Sequence, residues 1–167
     1  MAGRLPVFAL LIACLLLLEG CATTRGVGRS RTVGIIALQG VDQLLALNVQ
    51  GEFLAIRGPA AVLEQIDRLI DARIACQGPR SSDTVTVRSF EILEAPDGMV
   101  PYLGRIVYDQ SGVVLADETT GTRIGLRSAD LEALKRAHGD RVWITGAIVG
   151  PQLLLVAHWG VLVPASN

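Results

Sequence analysis

Three cysteines, two histidines, one dense polar turn and two matched arginines are the residues of this chain whose types invite chemistry. Cys76 sits in the apolar run Arg73-Ile74-Ala75-Cys76 with no histidine nearby. A thiol needs an activating neighbour to react, so a small buried hydrophobe is the expected role. His138 and His158 belong to no HxxxH or CxxC arrangement, and no closely spaced carboxylate set joins them. Nothing therefore supplies the three or four ligands of a transition-metal site. Asp117-Glu118-Thr119-Thr120-Gly121 is rich in oxygen but lacks the alternation and terminal Glu of an EF-hand loop, so it reads as a solvated turn. Serines 30, 81, 82, 89, 111, 128 and 166 occur in no GxSxG or SxxK setting. The glycines form no phosphate-cradling GxxxxGK or GxGxxG. No catalytic residue, metal or cofactor is expected. A Ser or Asp carried to His158 by the fold would restore the alternative of a hydrolase.

Cys21 is different. Residues 1–4 carry one positive charge, and residues 5–18 contain no charged or amide side chain. Fourteen residues match the apolar core of a secretory leader, about 7–15 residues long. As a helix they would rise only about 21 Å against a hydrocarbon core of roughly 30 Å, so a spanning anchor is the weaker reading. The run ends in Leu18-Glu19-Gly20-Cys21. This leader resembles the signal peptide and lipobox of bacterial lipoproteins, with Glu19 departing from the usual Ala or Ser. The resemblance implies a signal peptide over 1–20, lipidation of Cys21, and a membrane partner held through the N-terminal lipid. Single acyl chains bind membranes marginally and several bind durably. Ala22, where Asp would favour inner-membrane retention, implies an outer-membrane, periplasm-facing location if the source is Gram-negative. Residues 22–31 are polar, glycine-containing and basic, and read as a tether; residues 21–32 form the lipidated N-terminus.

Beyond the leader, 147 of the 167 residues remain, with net charge still −1. That suits one ordinary domain or two very small ones, and it gives no electrostatic case for nucleic acid. Self-similarity runs through them at about seventy residues. Gly34-Ile35-Ile36 corresponds to Gly104-Arg105-Ile106, Leu45-Ala46 to Leu115-Ala116, and Ile56-Arg57 to Leu126-Arg127. Gly78-Pro79 answers to Gly150-Pro151, and Phe90-Glu91-Ile92-Leu93 to Trp159-Gly160-Val161-Leu162. Two repeats are expected, over 33–94 and 102–163, with a linker at 95–101.

The second repeat reads as strands over 102–108, 113–116 and 122–126, then a short helix capped by Ser128 and ended by His138-Gly139. Two long strands, 141–149 and 153–163, follow, hinged at Gly150-Pro151. The first repeat carries a longer helix over 59–72, with Leu63, Ile66, Leu69 and Ile70 on one face. This order resembles the OB-fold, a Greek-key barrel of five strands. The expected fold class is therefore mainly β, two tandem OB-like five-stranded barrels, each with one helix between strands three and four.

OB barrels bind along strands two and three and with rim loops. Phe53 is the one aromatic residue in the four strands of that class, too few for a base-stacking platform, so no nucleic acid is expected. Arg57 and Arg127, at matched strand ends, could pair with an anionic ligand. Trp143 alternates with Val142 and Ile144, pointing out of a barrel, which suits either a partner surface or packing between the halves. Arg57, Arg127 and Trp143 are thus the candidate ligand or partner surface. The expected function is a non-catalytic, lipid-anchored envelope protein touching an envelope protein or cell-wall glycan. A periplasmic binder of small ligands or polyanions, using a cleft between the halves or a rim, is the alternative.

Overall fold

The computed structural model describes residues 30–166. The signal peptide, Cys21 and most of the tether lie outside these residues. The described chain is mainly β, with eleven strands and two short helices. In the second half, β7 (Tyr102–Asp109), β8 (Gly112–Asp117), β9 (Arg123–Arg127), β10 (Arg141–Ile148) and β11 (Leu153–Val163) close into a barrel. The β7 strand pairs with both β8 and β10, and β9 runs parallel to β11. Helix α2 (Leu131–Arg136) lies between the third and fourth of these strands.

The first half uses the same pairing order without forming a five-stranded barrel. Its β1 (Arg31–Gln39) pairs with β2 (Leu44–Val49) and β4 (Arg73–Gln77), while β3 (Glu52–Arg57) continues the sheet from β2. The expected fifth strand is broken in two. Its first part, β5 (Thr84–Thr86), runs parallel to β3, and its second, β6 (Ser89–Glu94), runs antiparallel to β4. At the break, Val87 donates its N–H to the Arg57 carbonyl and Arg88 donates to that of Gln77. The two residues hand the chain from one neighbour strand to the other, giving a curled sheet of six strands.

Helix α1 (Ala60–Asp67) is shorter than expected and begins after Pro59 rather than containing it. Residues 68–72 leave the helix because β1 needs partners beyond β4. Asp71 N–H donates to the Ile36 carbonyl, and Ile36 N–H donates to that of Ala72. Gly139, Ile106 and Asp140 repeat this pair of bonds in the second half. Asp71 and Gly139 both have left-handed φ, 66° and 87°, as the return from a helix requires. Helix α2 is capped by Asp130, which accepts from the Ala133 N–H, whereas Ser128 accepts from the N–H of Asp130.

Two matched glycines fix the strand approaches. A Cβ on Gly34 would lie 2.5 Å from the Asn48 carbonyl, and one on Gly104 2.2 Å from that of Ala116. A second correspondence differs from the expected one. Gly78 matches Gly146 rather than Gly150, since a Cβ at either would fall 1.9 or 2.0 Å from a fifth-strand carbonyl, Thr86 or Leu155. The proline after each apparent partner marks a loop, not an equivalent position.

Two apolar clusters hold the halves. Ile106, Leu115, Leu134, Val142, Ile144 and Leu154 fill the barrel. Ile36, Leu47, Leu54, Ile66, Ile74 and Cys76 fill the curled sheet, and Trp143 and Leu162 of the barrel join that same cluster. The first-half cluster therefore extends onto the barrel and packs the two halves together.

Candidate functional site

The arginines expected at strand ends sit at two exposed rims, and neither forms an ion pair among the described residues. Arg57 ends β3 beside Thr86. The neighbouring loop is polar. There, hydrogen bonds from Ser81 and Thr84, with a smaller contribution from the Arg57 charge, hold Asp83 below the usual carboxylate range. Arg127 ends β9 in register with the apolar Leu155. Leu155, Ile148 and Val149 expose 45, 49 and 53% of their surface at the end of the β10–β11 hairpin. At the β7–β8 hairpin Tyr108 is also exposed, with Lys135 Nζ 5.4 Å from its ring centroid. The matched arginines thus stand in unlike settings.

Trp143 does not belong to an exposed surface. It is 7% exposed, and Val142 and Ile144 on either side face the barrel cluster while Trp143 packs into the other one. Its neighbours are those of packing between the halves. Its cross-strand partner is Gly160, where a Cβ would come within 2.7 Å of the indole Nε1. The missing side chain makes room for the ring. That Nε1 is buried and has no hydrogen-bond partner.

The fold also assembles a polar cluster from three places in the sequence. Asp97, in the connection between the halves, accepts through Oδ2 from Thr145 Oγ1 at 2.5 Å and lies 3.0 Å from His158 Nδ1. Its Oδ1 accepts from the Met99 N–H. Thr145 is fully buried on the outer face of β10, and its hydroxyl finds this carboxylate and, at 3.4 Å, the His158 carbonyl. Burial works against ionisation of Asp97, but the bonds from Thr145, His158 and Met99 outweigh it and draw the carboxyl below its ordinary value. A shallow depression of about 400 Å³ borders the cluster, lined also by Pro96, Trp143 and Trp159.

An aspartate that orients an imidazole is half of a nucleophile-activating arrangement. The other half needs a hydroxyl or thiol on the ring's far nitrogen. Among the described residues, the side-chain hydrogen bond of His158 is to Asp97, and Thr145 bonds the carboxylate instead of the ring. Ser111, one of the serines outside any catalytic motif, bonds Asp109. The cluster ties the inter-half connection to β10 and β11, and it meets the condition of an Asp carried to His158, while among the described residues no hydroxyl or thiol bonds the ring. Sequence reasoning did not single out Asp97, because a turn aspartate carries no local sign of a partner 61 positions away.

Other chemical candidates resolve into structure. His138 Nδ1 accepts from the Tyr108 N–H, tying the end of α2 to β7. Asp117 is buried rather than solvated, and its Oδ1 accepts from the N–H groups of Thr119 and Thr120 and from the Thr120 hydroxyl. Cys76 is fully buried, and desolvation pushes its thiol up to about 12. Among the described residues, no group of three or more His, Cys, Asp or Glu is placed to hold a metal ion, and no helix is long and apolar enough to cross a membrane. No protein-family model matches the chain, and no curated protein matches its sequence.

Proposed function

We propose that this is a lipid-anchored, non-catalytic cell-envelope protein whose body is a duplicated pair of OB-like units, and that the second unit holds a protein or glycan partner at its rim. The leader ending at Cys21 supports the anchor. The matched pairing order, with parallel third and fifth strands in each half, supports the OB-like reading. The observation that carries the partner role is the rim itself. Ile148, Val149 and Leu155 stand in solvent on the β10–β11 hairpin, and Leu155 is in register with Arg127, which forms no ion pair among the described residues. Exposed apolar side chains flanking an arginine are the usual anchors of a recognition surface. In an OB barrel the loop between strands four and five, here the β10–β11 loop, is one of the elements that bind ligands.

The experiment is site-specific photo-crosslinking from position 149 in intact envelopes, with position 132 on α2 as an exposed control. The reading expects a discrete adduct at 149 that disappears with Arg127→Glu. Equal labelling at both positions, or an adduct indifferent to that substitution, contradicts it.

A further inference from the structure

A cleft of about 220 Å³ lies where the two halves meet, lined by α1, β6, β7 and β10. Val62, Phe90, Ile92 and Leu103 give it an apolar lining. Two cationic side chains, Arg88 and Arg141, line it as well. Arg141 gives Nε and Nη2 to Glu118 at 2.9–3.1 Å and Nη1 to Gln65 Oε1 at 3.2 Å. A guanidinium has five N–H donors, so two of them stay uncommitted. Arg88 lines the same cleft and forms no ion pair among the described residues. The carboxylate lining the cleft, Glu91, is engaged by Arg31 at 3.1 Å. Among the lining residues the balance is therefore one unneutralised positive charge beside apolar side chains.

We propose that this cleft binds a small organic anion, with a carboxylate held by Arg88 and the spare N–H groups of Arg141 and an apolar body against Phe90 and Leu103. A site between packed units, mostly apolar with a few convergent polar groups, is the common form of a small-molecule pocket. The size restricts the ligand. At about 30 Å³ per water in the liquid, the cleft displaces roughly seven waters, which suits a single ring or a short acyl chain. Such a ligand would touch both halves at once. This inference stands apart from the lipid anchor and from the rim.

Benzoate is the probe and benzyl alcohol its uncharged counterpart, titrated calorimetrically into the full chain in detergent. The expected result is saturable one-to-one binding of benzoate and binding of benzyl alcohol about tenfold weaker, as loss of a charge-assisted hydrogen bond implies. Arg88→Gln should weaken benzoate binding by about the same factor. Val62→Phe, which fills the cleft, should abolish it, and Arg136→Gln on the exposed side of α2 should leave it unchanged. Absence of saturable binding, equal affinity for the alcohol, or indifference to both Arg88→Gln and Val62→Phe would overturn the proposal.

Discussion

Replacing Trp143 separates two consequences of its position that point in opposite directions. The ring is about nine-tenths buried, between the barrel and the cluster of the other half. An aromatic side chain buries about 150–250 Å², so at about 25 cal/mol per Å² its burial contributes roughly 4–6 kcal/mol as an upper bound. Large-to-small replacements of this kind cost about 3–5 kcal/mol in practice, and Trp143→Ala is expected in that range. The same indole buries a donor with no acceptor. An unsatisfied buried donor costs about 1–3 kcal/mol, which Trp143→Phe removes while leaving most of the ring in place. The loss of a few ring atoms and the relief of the N–H nearly cancel, so Trp143→Phe is expected to change stability by less than about 1 kcal/mol. Urea unfolding followed by far-UV circular dichroism measures both. Because the first-half cluster includes Trp143 of the barrel, the alanine variant should also shift the midpoint of a single transition. A phenylalanine variant as unstable as the alanine one would show that the N–H is satisfied after all. An alanine variant that loses less than about 1 kcal/mol would refute packing of the halves through Trp143.

Further outcomes follow from the same packing. Gly146→Ala drives a methyl against the Leu155 carbonyl and should destabilise by at least about 2 kcal/mol, with Gly78→Ala behaving alike at Thr86; thermal unfolding of the two variants checks the pairing. Cys76, whose thiol burial raises to about 12, should resist maleimide at pH 8 in the native protein and react only after denaturation. Asp97→Ala leaves the buried Thr145 hydroxyl only its long bond to the His158 carbonyl and should cost about 1–3 kcal/mol at neutral pH. The folded carboxyl titrates below its ordinary value, so its contribution is present above about pH 3.9 and is lost as pH falls through the folded value. The gap between wild type and Asp97→Ala in urea midpoints should therefore narrow on acidification below that pH, and a gap that widened would contradict the assigned role.

Strand order and the placement of both helices were legible because apolar alternation and turn residues are local signals. The long β10 and β11, hinged near Gly150, are the plainest case. The break of the fifth strand at Val87 and Arg88 was not legible, since its cause is a change of hydrogen-bonding neighbour between β3 and β4. The early end of α1 had the same kind of cause: Leu69 and Ile70 keep the helical apolar spacing, but residues 71–72 are claimed by β1. Gly150-Pro151 imitated Gly78-Pro79 in composition while Gly146 held the equivalent contact. At the rim, the matching of Arg57 and Arg127 was visible in the sequence. Their unlike surroundings were not, because the loops that supply them come from elsewhere in the chain. The Asp97–Thr145–His158 cluster spans 61 positions and could be stated beforehand only as a condition on His158.

The account turns on a body held at a membrane by the residue at position 21. Intact mass spectrometry of the mature amino terminus, from cells that make the protein, tests this directly. The predicted species begins at Cys21 and carries a diacylglyceryl group on the thiol together with the acyl mass of a processed lipoprotein. A mature chain that begins elsewhere, or a Cys21 thiol without added mass, would contradict the account.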